Sequence, residues 1–452
     1  MDATTYFLLA VMLVLVFSGV EIAVCLGTVS LLALYISTQD LEISLNFLSS
    51  TAYEALRDYI FAVVPLFLLM GEFIARSGAA SDLYWAVDRW LHRLPGRFAH
   101  ATVLGNVIFG FVTGTSVAAA TTFTSIAYPQ MKRYGYSSPF SLGLIAGSAC
   151  LGMLIPPSLL LVVWGILTDQ SIGHLFLAGI VPGLMLAGMM HAYIAVISIV
   201  RPAMVGHGRA RHALAAQATP APSTGDPGST IVAPSRLGFA VSAIGFAAII
   251  FGALGGIWIG YLTPTEGAGI GALIALMLGI IKGMRWPDIQ NAVLAVGRSA
   301  TPLLVIVFTA QLYSRTLSMS GIAATLQNAM IDSGFGLFGI VLFMLAIWFV
   351  LGMLIDSISI MLLTVPIFAP VAMKLGIDPL VFALVGVLTI EAGLLTPPFG
   401  INVYAVRAVV NDPSVSMGTI FWGSTPFWIM LMLIVPIVFA FPATVTFLTK
   451  VF

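Results

Sequence analysis

The amino-acid sequence predicts an all-α polytopic membrane protein made of two inverted repeats, each with a re-entrant helical hairpin and a discontinuous helix. Three observations predict it. Of the 452 residues, 60% are hydrophobic and 8% are charged, against about 25% charged in soluble domains. The apolar residues gather into stretches long enough to cross a bilayer. Glycines and prolines recur in the two halves at one constant offset. This composition excludes an ordinary water-soluble globule and a disordered chain. The 18 basic and 18 acidic residues cancel, so there is no electrostatic footprint for nucleic acid.

Apolar stretches run at about 7–36, 59–75, 99–129, 139–168, 174–200, 237–259, 266–284, 299–316, 336–373, 379–407 and 420–448. Met1–Tyr6 lacks the positive region of a signal peptide, and Phe7–Ile36 is too long for a signal core, so it is expected to be an uncleaved first span. The stretch 38–58 carries Asp40, Glu42, Glu54, Arg57 and Asp58 among apolar residues and is expected at the membrane interface. Residues 201–236 form a hydrophilic, Pro- and Ser-containing linker, flanked by Arg201, Arg209, Arg211 and Arg236. The linker separates a first repeat, 1–200, from a second, 237–452. Cys25 and Cys150 lie in apolar runs and suggest neither a disulfide nor a metal site.

Positive charge sets the orientation. Arg89, Arg93 and Arg97 mark one cytoplasmic loop, the linker a second, and Lys282, Arg285 and Arg298 a third. Lys132 and Arg133 join them if 99–129 enters and leaves on one side, as two half-length helices of about 22 Å each. Gly114-Thr115-Ser116 sits where the turn would fall. The hairpin is the favoured reading over one long tilted helix.

The repeat is carried by residues that shape the backbone. Pro129, Gly135, Gly152, Pro156 and Pro157 are followed 241 residues later by Pro370, Gly376, Gly393, Pro397 and Pro398, and Ser116 by Ser357. Pro65-Leu66 ahead of Ser77-Gly78 resembles Pro302-Leu303 ahead of Ser320-Gly321. The charge pattern runs 59–75 inward and 299–316 outward, so a hairpin at 99–129 opens to the cytoplasm and its counterpart at 336–373 to the outside. Inverted repeats with interrupted helices mark secondary transporters, whose sites lie at the repeat interface near the midplane.

Four segments break the helical pattern within apolar sequence: Thr113–Ser116, Ile155–Ser158, Asp356–Ser359 and Thr396–Asn402. The second and fourth belong to the broken helices at about 139–168 and 379–407. Irregular backbone at membrane depth is tolerated where it is buried in protein or lines a cavity. Freed carbonyls with Ser, Thr, Asn and Asp oxygens suit a small hard cation, and half-helix amino termini suit an anion. A lone Ser or Thr more commonly bonds its own preceding carbonyl, and a proline pair alone is commonly a kink. Their coincidence at repeat positions favours binding sites.

Asp356 stands out, because a carboxylate at the centre of a span costs about 2.5 kcal/mol or more. The roles of Glu391 and Arg315 stay open: Glu391 can be a site residue or a structural partner, and Arg315 can snorkel to the outer interface. Glu266 after Thr263-Pro264-Thr265 reads as a helix cap. The histidines show no ligand spacing, and His92, His100, His207 and His212 fall in or beside loops. No zinc-protease helix, Walker loop or nucleophile elbow is present in the sequence. A channel would need rings of charge, and an intramembrane hydrolase using Ser116 or Ser357 would need a base; neither is evident.

Together these motifs resemble the large membrane (M) subunit of tripartite ATP-independent periplasmic (TRAP) transporters, over nearly the whole chain. The resemblance rests on Phe109–Ala118, Pro129 with Gly135-Tyr136, Gly152–Ser158, Pro182-Gly183, Thr263–Glu266 and Thr396–Gly400. It implies an elevator-type, sodium-coupled importer of a small organic acid anion in the bacterial inner membrane, and no enzyme activity. Implied partners are a small four-helix membrane subunit that braces a scaffold and a periplasmic substrate-binding protein. A stand-alone sodium–carboxylate symporter of related fold is the alternative. By motif match, sodium would be held around Gly114–Ser116, Asp356–Ser357 and Thr396–Asn402. Within and beside these segments, Thr113, Gly114, Ser116, Asp356, Ser357, Gly393 and Thr396 are the expected sodium positions. Thr115, Ser116, Pro157, Ser158, Gly400 and Asn402 are the expected substrate contacts.

Overall fold

A computed structural model describes residues 3–91, 93–206, 235–410 and 412–451. Most of the expected linker, together with His92, His207 and His212, lies outside the described residues. Every described element is helical, and the only β pairing among these residues is an isolated bridge between Tyr136 and Val205. Among the described residues seven helices are long and apolar enough to cross a bilayer, or eight if the bent pair 138–168 counts as one span.

The chain begins with α1 (Ala3–Phe17) and α2 (Ile22–Thr38). This corrects the expected single span over Phe7–Ile36. Gly19 takes φ +76°, a left-handed turn that glycine allows cheaply. The two helices fold back so that Thr5, Leu8 and Met12 line one small cavity with Val29, Ser30 and Ala33. The stretch expected at the interface is α3 (Leu41–Arg57), capped by the Asp40 carboxylate, which accepts from the Glu42 and Ile43 N–H groups. Leu41, Ile43, Leu45 and Tyr53 are exposed on it.

A first packing group forms from α2, α4 (Val63–Ser77), α14 (Pro264–Ile281) and α15 (Trp286–Met319). Thr263 and Glu266 start α14 with a reciprocal capping box, as expected from the sequence. At 34 residues α15 is far longer than the expected stretch 299–316. Both α4 and α15 end at matching corners, Gly78 at φ +73° and Gly321 at φ +72°. These corners lead into α5 (Ala79–Trp90) and α16 (Ile322–Ile331). Beside them lie α12 (Arg236–Ala247), a π-helical turn at Ala248–Leu254, and α13 (Gly255–Trp258). The Lys282 ammonium pairs with the Asp82 carboxylate and donates to Ser242 at 2.8 Å, tying α5 and α12 to the end of α14.

The second packing group holds the interrupted elements. Its first half contains α6 (Arg97–Thr113), α7 (Ser116–Arg133), α8 (Ser138–Ala149), α9 (Leu151–Leu154) and α10 (Leu159–Thr168), followed by α11 (Ile172–Val200). Its second half contains α17 (Gly336–Gly352), α18 (Ser357–Lys374), α19 (Pro379–Gly393) and α20 (Ile401–Val409), followed by α21 (Met417–Ala440) and α22 (Ala443–Val451). Helices α6 and α7 pack on each other, as do α17 and α18, so both hairpins are present. The 139–168 segment is a helix pair bent by 41°. The two halves interlock: α8 packs on α21, α7 on α20 and α10 on α18. At the end of the first hairpin Lys132 pairs with Asp412 at 2.6 Å. That ammonium, with the Ser414 hydroxyl and N–H, holds the Asp412 carboxyl well below the usual carboxylate range.

Candidate functional site

Each hairpin tip is seated on the proline break of its own half. Gly114, between α6 and α7, takes φ +60°, and its carbonyl accepts from the Leu159 N–H at 3.1 Å. Leu159 opens α10 just after Pro156-Pro157. A side chain at Gly114 would run into the Pro157 carbonyl, so this position requires glycine for space as well as for its dihedral. In the second half the Met353 carbonyl accepts from the Phe399 N–H at 3.2 Å, and Phe399 follows Pro397-Pro398. Both proline pairs contain a cis peptide bond.

One turn below each tip a pair of glycines lets two helices touch through backbone. A Cβ on Gly110 would lie 2.9 Å from the Gly152 Cα, and one on Gly352 would lie 2.8 Å from the Gly393 Cα. Gly393, an expected sodium position, is thus also the packing floor of the second hairpin. The freed Leu395 carbonyl accepts from the Ser424 hydroxyl of α21 at 3.0 Å, which satisfies backbone that the break leaves exposed.

The other expected site residues divide by what their polar atoms do. Thr113 donates to the Phe109 carbonyl at 3.1 Å and Thr396 to the Gly393 carbonyl at 2.7 Å. Ser158 donates to the Met153 carbonyl at 2.5 Å and accepts from the Leu161 N–H at 3.3 Å, capping α10. In the two threonines the hydroxyl proton is spent locally, while lone pairs remain for a ligand. Thr115 is half-buried at the N-cap of α7 and makes no side-chain cap bond. Gly400, at φ +52°, precedes α20, and a Cβ there would meet the Phe421 ring at 2.5 Å. Asp356 is exposed and caps α18. One of its oxygens accepts from the Ser359 N–H at 3.0 Å and the other from the Ser359 hydroxyl. Its position at a helix start therefore has a structural use, and its negative charge still stands at the tip.

Where the two tips meet, five side chains of both halves form a buried polar cluster. Ser116 and Ser357 open α7 and α18, Cys150 joins α8 to α9, Glu391 lies in α19, and Asn402 opens α20. Cys150, Ser116, Glu391 and Asn402 are fully buried. Ser357 donates to Glu391 Oε1 at 3.1 Å, and Asn402 Nδ2 donates to Cys150 Sγ at 3.5 Å. The Ser116 and Asn402 side chains also face the Glu391 carboxyl. Ser116 Oγ, Glu391 Oε2 and Asn402 Oδ1 complete no hydrogen bond of good geometry. Glu391 is thus placed at the junction, and Cys150 is a member that sequence reasoning missed. Its signal was present: Cys150 precedes Glu391 by the same 241 residues as the other repeat partners.

Arg315 and His100 each have a defined partner. Arg315 is an ion-pair partner of Glu54 at 2.5 Å, on a polar cavity of about 390 Å³ that Asp58 and Asp169 also line. His100 lies in the first turn of α6, beside the loop before it; it is buried and its ring stacks on His191, with their Nδ1 atoms 2.7 Å apart. Chemically, the tips and their junction offer carbonyl and hydroxyl oxygens, the carboxyl groups of Asp356 and Glu391 and several helix amino termini in a small space. That inventory suits a small cation and an anion together.

Comparison with known proteins agrees with this architecture. Residues 9–444 match the family model "Tripartite ATP-independent periplasmic transporter, DctM component". The C4-dicarboxylate TRAP transporter large permease protein DctM of Pseudomonas aeruginosa is 30% identical over 395 residues, covering 86% of each chain. The ectoine TRAP transporter large permease protein TeaC of Halomonas elongata is 28% identical over 98% of each. The sialic acid TRAP transporter large permease protein SiaM of Vibrio cholerae is 25% identical over 97% of this chain and 96% of its own. In fold, the chain resembles the crystal structure of the Alcanivorax borkumensis YdaH transporter, with TM-score 0.63 and 15% identity over 98% of this chain and 100% of that one. These relatives are permease subunits and not enzymes, and the words "tripartite" and "large permease" imply further components. The chain therefore belongs to the DctM, or large-permease, family of TRAP transporters and is a multi-pass inner-membrane transport subunit.

Proposed function

We propose that this subunit imports a small organic acid anion, such as a carboxylate or sugar acid, in symport with sodium. A periplasmic binding protein delivers the anion, and a small four-helix membrane subunit braces the scaffold. The observation that carries this reading is the pair of matched seats, Gly114 on Leu159 and Met353 on Phe399. They place two irregular tips against two proline breaks, one set in each half. Among the relatives, the names of a C4-dicarboxylate and a sialic acid permease support an organic acid anion, and a third relative is named for ectoine.

Sodium is a co-substrate in this reading. The first ion takes oxygens of Thr113, Gly114 and Ser116, and the second takes oxygens of Asp356, Ser357, Gly393 and Thr396. The anion meets the helix starts at Thr115, Ser116, Ser158 and Asn402, with Pro157 and Gly400 shaping the wall. Ions that seat both tips complete the anion pocket, so each ligand favours the same state of the protein. A coupling free energy of about 1–3 kcal/mol would raise anion affinity about 5–150-fold. In the elevator picture the group bearing the tips moves against the α2–α4–α14–α15 group, with the corners at Gly78 and Gly321 absorbing the change.

Uptake of labelled C4-dicarboxylates and sialic acid into proteoliposomes tests this directly. A sodium gradient, the small subunit and the binding protein are each supplied or withheld. Uptake is expected to fall to background when potassium replaces sodium, and unchanged uptake would reject the coupling. Full uptake without the soluble protein would favour the stand-alone symporter.

A further inference from the structure

A cavity of about 700 Å³ opens between α11 and α21, beside the start of α8. Arg201 is the one charged residue among the described residues that line it. The Thr425 hydroxyl on its wall is spent on the Phe421 carbonyl at 3.2 Å. Small residues leave the space. Gly423 forms part of the floor, where a Cβ would run into the Pro139 carbonyl, and Ala192 adds only a methyl group. The Tyr193 ring sets one wall, packed edge-on against Phe427 and beside Phe140. Ile429 and Leu433 are exposed along the opening, as is Trp422 near its charged end.

Depth and charge together identify the occupant. From Trp422 to Leu433 is about 16 Å along α21, and from Met189 to Arg201 about 18 Å along α11. Each is close to half of a hydrocarbon core about 30 Å thick, so the cavity spans one leaflet. Arg201 begins the linker whose positive charge places it in the cytoplasm, which makes this the cytoplasmic leaflet. A partner helix would cross both leaflets, whereas an acyl chain ends at the midplane. The Arg201 side chain is exposed, and among the described residues no carboxylate pairs with it. As the C-cap of α11 it meets the negative end of that helix, which offsets about half a charge. A guanidinium at the interface above an apolar furrow fits a phosphate above its own acyl chain.

We propose that this cavity binds an anionic phospholipid of the cytoplasmic leaflet, with the phosphate on Arg201 and one acyl chain lying between α11 and α21. The lipid belongs to the group that bears the tips. Helix α8 packs on α21, and the Ser424 hydroxyl of α21 holds the Leu395 carbonyl of the second break. One basic residue near the surface favours an anionic over a zwitterionic lipid about fivefold. The inference rests neither on sodium coupling nor on which anion is carried.

The test is photolabelling of the intact subunit in phosphatidylcholine liposomes. The probes are phosphatidylglycerol and phosphatidylcholine, each carrying a diazirine in one acyl chain, and the labelled peptides are mapped by mass spectrometry. The expected result is about fivefold more labelling by phosphatidylglycerol within 189–193 and 422–433. Around Leu342, exposed on α17, the two lipids should label equally. In Arg201→Gln the preference should vanish while labelling by phosphatidylcholine stays. In Ala192→Trp, which fills the cavity and keeps the guanidinium, labelling of 422–433 by both lipids should fall while that around Leu342 is unchanged. Equal labelling by the two lipids in the natural protein would overturn the proposal and leave an ordinary solvating lipid. A preference that survives Arg201→Gln would overturn it too. So would loss of labelling when the small membrane subunit is reconstituted alongside, because a partner helix would then be the occupant.

Discussion

One methyl group added at Gly352 is expected to abolish transport while the rest of the subunit stays folded. The new Cβ would lie 2.8 Å from both the Gly393 Cα and the Ile390 carbonyl oxygen. Both are backbone atoms of α19, so no side chain can rotate away. Helix α17 must move, and overpacking of this kind costs about 1–3 kcal/mol. The displacement acts on the next residue, Met353, whose carbonyl forms the second seat with Phe399. A loss of about 2 kcal/mol there would cut the seated population some thirtyfold if seating is only marginally favourable. Gly188→Ala is the matched control, since a Cβ there meets nothing within 4 Å and helix propensity favours alanine by about 1 kcal/mol. The measurement is initial uptake per inserted molecule for both variants. Equal rates would mean that the Gly352–Gly393 contact does not position the tip.

The second large effect is expected at Asp356, where two variants separate its two uses. Asn is as good an N-cap as Asp, so Asp356→Asn should keep α18 and the bond from Ser359 while removing the charge. Half-saturating sodium should then rise about tenfold or more, the size expected for losing a charge-assisted contact of roughly 1.5–3 kcal/mol. Asp356→Ala also removes the cap and should cost about a further 1 kcal/mol in stability. Sodium-dependent uptake and thermal unfolding, measured on both variants, give the comparison. If the Asn variant keeps the natural sodium dependence, Asp356 is a cap alone.

The sequence revealed backbone better than chemistry. Matched glycines and prolines foretold matched conformations: Gly135 and Gly376 both take positive φ, as do Gly78 and Gly321, and both proline pairs share one isomer. These residues restrict the backbone wherever they occur, so their spacing survives in one dimension. The break at Ser18–Glu21 was hidden because one apolar run is long enough for a tilted helix as well as for a helix pair. The junction was hidden differently. Cys150 and Glu391 occupy equivalent places in the repeat but differ in chemistry, so a comparison of like residues passes over them. Asp356 shows the limit of composition: a carboxylate before a helix reads alike whether it caps, binds or does both.

The central claim is that the two tips close on their proline breaks because sodium binds there. The most direct measurement is exchange protection of the Leu159 and Phe399 amides at one fixed pH, in sodium chloride and in potassium chloride of equal strength. The account predicts that sodium slows exchange at both amides together, while an amide far from the tips, such as that of Leu186 in α11, is unaffected. Equal exchange in the two salts at both seats would contradict it.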